Sequence, residues 1–432
     1  MHALSSAQHP ETWTTCEGTD ELLTHKHPFR VVRHALAALL AGALIAVCVP
    51  GMPTAAMPWP QGPLGQVPTP IAQTLGSETL AQLAEVTIPP RDRIDLAQRL
   101  LGLTEVPQPP TTPPPELDLG AVVTFWADNL DQDYAFQIDA KLVYKTPHIY
   151  MFVEAGQAVD LAAVKRSADA FEQVIRPRVH QVFGTEWTPG IDGDPHLVIL
   201  HASGLGNWVA AYFGSNSAYP AAAVANSNEC EMFYVNLDTM GGAIGTWYYE
   251  GVLAHEFQHM VHWHVDPNED AWLNEGLSDL AALITGYGPS DFTWSFLQWP
   301  GIQLNTWPEE SGQRGLHYGA AFLFAAYFYQ RYGEEATTTL VRNPANGLAS
   351  VDEALDAIGA TDPTTGTPVT VVDLFADWLA ANLIADPALY DGRYAYTLTD
   401  MDMLPPATVS AVPASTRRWR CCHTGSGAVA LS

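Results

Sequence analysis

GVLAHEFQHMVH, residues 251–262, followed by AWLNEGLSD, residues 271–279, are the stretches from which the rest of the chain is read. On a helix of 3.6 residues per turn, His255 and His259 stand at i and i+4. They project from one face about a turn apart, so two imidazoles can reach one ion. Glu256 follows the first histidine and sits beside such an ion, where it can take a proton from a zinc-bound water. Val252, Leu253, Phe257, Met260 and Val261 make most of the remaining helix surface apolar. Two histidines in the middle of such a helix are costly without a partner to bind.

A third ligand has to come from elsewhere. Glu275, sixteen residues after His259, opens an apolar helix among Trp272, Leu273, Leu277 and Leu280. An isolated carboxylate there is a poorly solvated charge that zinc would neutralise. One turn on, Asp279 can accept the remaining N–H of a ligand histidine and fix its tautomer, the alternative being an ordinary surface aspartate. His262, at i+7 from His255, lies near the same face and reads as a supporting or surface residue.

With HEFQHMVH and WLNEGLSD in place, the chain resembles the gluzincin peptidases and looks closest to the hyicolysin-like neutral zinc metallopeptidases, over about residues 122–385. The metzincin pattern does not apply, because it asks for Gly and His where this chain has His262 and Val265. The resemblance implies a zincin-type α+β fold with an N-terminal mixed-sheet subdomain, a C-terminal helical subdomain and the active-site cleft between them. It implies zinc on His255, His259 and Glu275, with Asn274 and Asp279 supporting the ligands, and Glu256 as base. It also implies an edge strand that pairs with an extended substrate in the place of NWVAAYF, 207–213, with Asn207, Trp208 and Ala210 on it; a fully paired strand there is the alternative. EMFYVNLD, 231–238, stands in the place of the inner strand. Attack on a peptide carbonyl builds charge on its oxygen, and the stabilising residue is expected to be Tyr318 or His317, which lead the apolar helix HYGAAFLFAAYFYQRYG.

The segments around the motif read as α+β. Strand patterns cover 121–127, 136–146, 148–156 and 196–202, and a helical pattern covers 160–183, with Pro177 ending or bending it. Beyond the strands, helices are expected at 248–264, 271–285, 317–332, 350–358 and 370–385. Ser350 with Glu353 and Thr370 with Asp373 read as capping boxes, and Gly333 and Gly359 as C-terminal stops. The expected organisation is a leader (1–56), a proline-rich linker or propeptide-like segment (57–118) with at most a short helix near 91–101, a metallopeptidase domain (119–400, sheet part 119–244, helical part 245–400), and an irregular or truncated tail (401–432). Asp192-Gly193-Asp194-Pro195 is read as a turn; it could contribute to a calcium site, but no EF-hand spacing supports one. Trp294, Trp299 and Trp307 read as core or loop packing, or as lining of the substrate cleft.

The balance of 19 Lys+Arg against 47 Asp+Glu, a formal charge of -28, disfavours nucleic acid and anionic membranes as partners. The apolar run 35–49 follows Lys26, Arg30 and Arg33 and precedes Thr54-Ala55-Ala56, which reads as a secretory signal, with an uncleaved anchor as the alternative. Of the five cysteines, Cys16 and Cys48 fall in the leader, Cys421 and Cys422 are adjacent in the tail, and Cys230 reads as a small buried hydrophobe. The expected function is that of a secreted zinc endopeptidase acting on proteins or peptides. The alternatives are a zinc aminopeptidase, for which no strong amine-recognition signal precedes the metal helix, and a catalytically weak surface-binding protein that keeps its zinc.

Overall fold

Period-two alternation and β-branched residues between 120 and 155 produce three antiparallel strands, β1 (Val122–Asn129), β2 (Tyr134–Lys145) and β3 (Ile149–Glu154). This computed structural model describes residues 79, 80, 82, 92–288, 292–309 and 311–398. The apolar run 35–49, Cys16, Cys48, Cys421, Cys422 and the tail from 399 lie outside the described residues. The chain divides into a unit Met1–Thr87, in which residues 79, 80 and 82 are helical, and a unit Ile88–Ser432, to which everything below belongs.

After β3 the chain crosses over through α1 (Leu161–Ala170), a π-helical turn (Phe171–Ile175) and α2 (Arg176–Phe183) to β4 (Leu197–Ala202), which lies parallel to β3. Helical structure runs through Pro177 instead of ending there, because the π-helical turn just before it relaxes the hydrogen-bond ladder that proline would otherwise break. β5 (Ala211–Phe213) and β6 (Met232–Asn236) complete a sheet ordered β1-β2-β3-β4-β6-β5, with β5 antiparallel to β6 at the edge. β4 and β6 read as continuous apolar runs because both faces are buried. Ile149, Met151, Ile199, Phe233 and Val235 face the helices, while Tyr150, Phe152, Leu200, Met232 and Tyr234 face a second core that includes Cys230.

The longer helices that follow are α3 (Trp247–Val265), α4 (Ala271–Ile284), α5 (Arg314–Val341), α6 (Leu348–Ala357) and α7 (Val371–Ile384). The architecture is mixed α+β. Among the described residues no helix is long and apolar enough to cross a membrane.

Several expectations need correction. The short helix allowed for near 91–101 forms at Arg93–Leu101 and hydrogen-bonds Asn216 through Arg93, and the segment is tied down further along, where little fixed structure was expected: the Leu117 amide donates to Tyr150 (3.1 Å), and Lys145 donates to the Leu117 carbonyl (2.7 Å). The strand expected over 207–213 is only Ala211–Phe213. Asn207 is drawn off to Asp131 by its backbone and side-chain amides (2.7 and 3.0 Å), and Asn236 holds the Gly206 and Val209 carbonyls, so Asn207, Trp208 and Ala210 lie in a loop. Ser350 does not cap α6. That helix starts earlier, after Gly347, which leaves the Ser350 hydroxyl to donate to Glu269 (3.0 Å). The capping box at Thr370 and Asp373 is present. At Gly333 the chain leaves helical geometry (φ 80°) and then re-enters it.

Candidate metal centre

Thr246 caps α3 with its hydroxyl, and Glu250 in the first turn suits the positive end of the helix. The short connection 266–270 then turns the chain so that α4 packs antiparallel to α3. His255 meets Asp279 near one end of the pair, and His259 meets Asn274 and Ser278 near the other. A close approach of α5 supports α4 from behind: a Cβ on Gly276 would stand 2.5 Å from the Ala321 carbonyl oxygen. Glu275, the preceding residue, is thereby held toward α3.

Three atoms converge. His255 Nε2 and His259 Nε2 are 3.0 Å apart, and Glu275 Oε2 lies 3.3 Å from the first and 3.4 Å from the second. Around a tetrahedral ion with bonds of about 2.0–2.2 Å, neighbouring ligand atoms stand about 3.3–3.5 Å apart. The residues therefore fit a small divalent cation, and the orphaned, buried Oε2 of Glu275 is the atom such an ion would satisfy. Burial alone would raise the Glu275 carboxyl, but the two imidazoles outweigh it and hold the carboxyl far below its ordinary range. Burial works against the charged form of His255, yet Asp279 and Glu275 raise its pKa well above the ordinary value. The site thus collects positive charge, in the form of a metal or a proton.

The ring nitrogens away from this point are also held. His255 Nδ1 is 2.9 Å from Asp279 Oδ1, and His259 Nδ1 is hydrogen-bonded to Asn274 Oδ1 and lies 3.0 Å from Ser278 Oγ. Ser278 in turn donates to Gln258. These contacts leave both Nε2 lone pairs aimed at the shared point. Glu256 is buried one residue from His255; burial raises its carboxyl pKa, and the Phe213 backbone amide against it offsets part of that rise. Glu256 is thereby tied to the edge strand.

A cleft of about 2030 Å³ opens over these groups. Its walls include Trp208, β5, Trp247 and Tyr248 of α3, Phe292, and both His317 and Tyr318. Tyr318 is half-buried with its hydroxyl toward Glu275, and its ring stacks on Phe292 (5.4 Å) and meets Trp307 edge-on (4.9 Å). His317 instead faces the Thr306 backbone and the Trp307 ring, and burial lowers its pKa. Trp307 packs against both, whereas Trp294 and Trp299 are exposed. Asp192-Gly193-Asp194 forms a turn in which Asp192 accepts from the Asp194 amide (2.9 Å). Among the described residues it is not one of the two groups able to hold a metal; the second such group is His262, Asp266 and Glu269.

Sequence reading did not single out Ser278 or Gln258, since a buried serine and glutamine carry no motif of their own; only the register of α4 against α3 reveals them. It also placed His262 near the ligand face without a partner, whereas the ring is fully buried against Asn274. Compared with known proteins, the chain matches no family model and no curated protein.

Proposed function

We propose that the chain is a secreted zinc-dependent endopeptidase of gluzincin type, with a zincin-type arrangement of sheet and helices. The observation that carries this reading is the convergence of His255 Nε2, His259 Nε2 and Glu275 Oε2 within 3.0–3.4 Å of one another, beside the buried Glu256. Export rests on the apolar run 35–49, and the acidic charge suits a protein or peptide partner over a polyanion.

Zinc on those three ligands supplies Lewis acidity that acidifies a water and polarises a carbonyl. Glu256 takes the proton of the attacking water and returns it to the leaving nitrogen. Its raised pKa brings it closer to the range in which one carboxyl can do both. β5 has an unpaired side in the described sheet and borders the cleft, so its main chain can hold an extended peptide. Tyr318, with its hydroxyl toward the ligand set, is the better placed of the two residues expected to stabilise the developing oxyanion.

The test is a quenched internal peptide and an aminoacyl reporter, each given to zinc-loaded wild type and to Glu256→Gln. Cleavage of the internal peptide, lost by a factor of about 10²–10⁴ in the variant, is the expected result. Cleavage of the aminoacyl reporter alone would replace the reading by an aminopeptidase. Zinc binding without turnover of either would replace it by a surface-binding protein.

A further inference from the structure

Asn274 faces His259 with a side-chain amide whose two ends have nearly the same shape and opposite hydrogen-bonding character. Only its oxygen can accept the Nδ1–H of His259, and only that proton position leaves His259 Nε2 free to ligate. Something must therefore choose the orientation of the amide. The other end of Asn274, Nδ2, lies 3.2 Å from Nδ1 of His262, a ring with no exposed surface. If His262 Nδ1 carries a lone pair, it accepts from Nδ2 and holds the oxygen toward His259. If it carries a proton, the amide is driven the opposite way.

The surroundings of His262 decide where its proton sits. His262 Nε2 and Asp266 Oδ2 are both buried without a hydrogen-bond partner among the described residues, and His262, Asp266 and Glu269 each bring one ligand-type atom within 4.8 Å of the others. No acceptor among the described residues lies within hydrogen-bond reach of Nε2, but the two carboxylates make the buried surroundings acidic, which favours an N–H over a lone pair on the ring nitrogen turned away from Asn274. Glu269 is fixed there by the Gly347 amide (2.6 Å) and the Ser350 hydroxyl (3.0 Å), which tie the carboxylate to the start of α6. Burial, and secondarily the charge on His259, lower the His262 pKa to about 3, which keeps this ring neutral.

We propose that His262 is a positioning residue for the metal ligand His259: its Nδ1 lone pair locks the Asn274 amide with the oxygen toward His259, and the nearby carboxylates of Asp266 and Glu269, without a hydrogen bond to the ring, favour its proton on Nε2. The proposal rests on the zinc reading of His255, His259 and Glu275. It also accounts for the second cluster of ligand-type residues without a second ion. A cation on His262 Nε2 would require both ring nitrogens to be stripped of protons while Asn274 donates to one of them.

Two substitutions separate the roles of the two ring nitrogens. The acceptor of His262→Asn falls where Nδ1 stands, and that of His262→Gln falls where Nε2 stands. Zinc affinity is measured by competition with a chromogenic chelator, alongside zinc per chain and the melting temperature of the metal-free protein. His262→Asn is expected to bind within about threefold of wild type, and His262→Gln to lose roughly tenfold, the usual scale for outer partners of a ligand histidine. The metal-free melting temperatures report how far each variant is destabilised as a whole, and the zinc affinities are compared against them. Equal affinities for the two variants, or the reverse order, would overturn the proposal. So would a second zinc per wild-type chain that is lost in Asp266→Asn. Wild type that binds no zinc at all would instead remove the reading on which the proposal stands.

Discussion

Asp279 Oδ1 lies 2.9 Å from His255 Nδ1, while Nε2 of the same ring is 3.3 Å from Glu275 Oε2. One carboxylate therefore orients the ring and the other shares its target. Removing each should have a different cost. Asp279→Ala is expected to weaken zinc binding by about 10–100-fold, and Glu275→Ala to weaken it further because a ligand atom is lost. Chelator competition checks the order, and equal losses would put Glu275 outside the ligand set.

Tyr318→Phe keeps the ring between Phe292 and Trp307 and removes only the hydroxyl. A drop in kcat of about 10²-fold with KM within a few-fold is expected, the scale of losing one oxyanion donor. His317→Gln should cost less than about tenfold, because that ring faces the Thr306 backbone. Steady-state kinetics on a quenched peptide compares the two directly, and a larger loss in His317→Gln would reverse the assignment.

Gly276→Ala tests how the site is braced. The added methyl meets the Ala321 carbonyl at 2.5 Å, so α4 and α5 must separate. A stability loss of about 1–3 kcal/mol is expected from overpacking of this kind. Because Glu275 is the neighbouring residue, zinc affinity should fall too. Thermal unfolding of the metal-free protein and chelator competition report the two effects, and an unchanged melting temperature would mean that the helices part without strain.

Away from the centre, Glu231 is buried and accepts from the Ile191 amide (3.1 Å). Burial first, and then the nearby Asp192, push its pKa up to about 8. In the unfolded chain the same group ionises near about 4.3. The folded state thus binds the extra proton, and stability falls as pH rises from about 4.3 to about 8, with no further loss above. Glu231→Gln should match wild type near pH 4 and melt roughly a few degrees higher at pH 8. A difference independent of pH would contradict the raised pKa.

The centre was legible in the sequence because helical periodicity alone puts His255 and His259 on one face, and because Glu275 is a carboxylate in an otherwise apolar run. Helices 271–285 and 370–385 were legible for similar reasons of pattern and capping. Tertiary hydrogen bonds were not. The loop at Asn207 leaves strand geometry because Asp131 and Asn236 hold it, and those partners lie far away in sequence. The start of α6 escaped because Ser350 serves Glu269 across the fold instead of its own helix end. The proline-rich segment reads as linker by composition, yet Leu117 is anchored at both its amide and its carbonyl.

The most direct test of the centre is anomalous diffraction at the zinc edge from crystals of zinc-loaded protein. The account predicts one strong peak within about 2.0–2.2 Å of His255 Nε2, His259 Nε2 and a Glu275 oxygen. A peak among His262, Asp266 and Glu269 in its place, or no peak between α3 and α4, would contradict it.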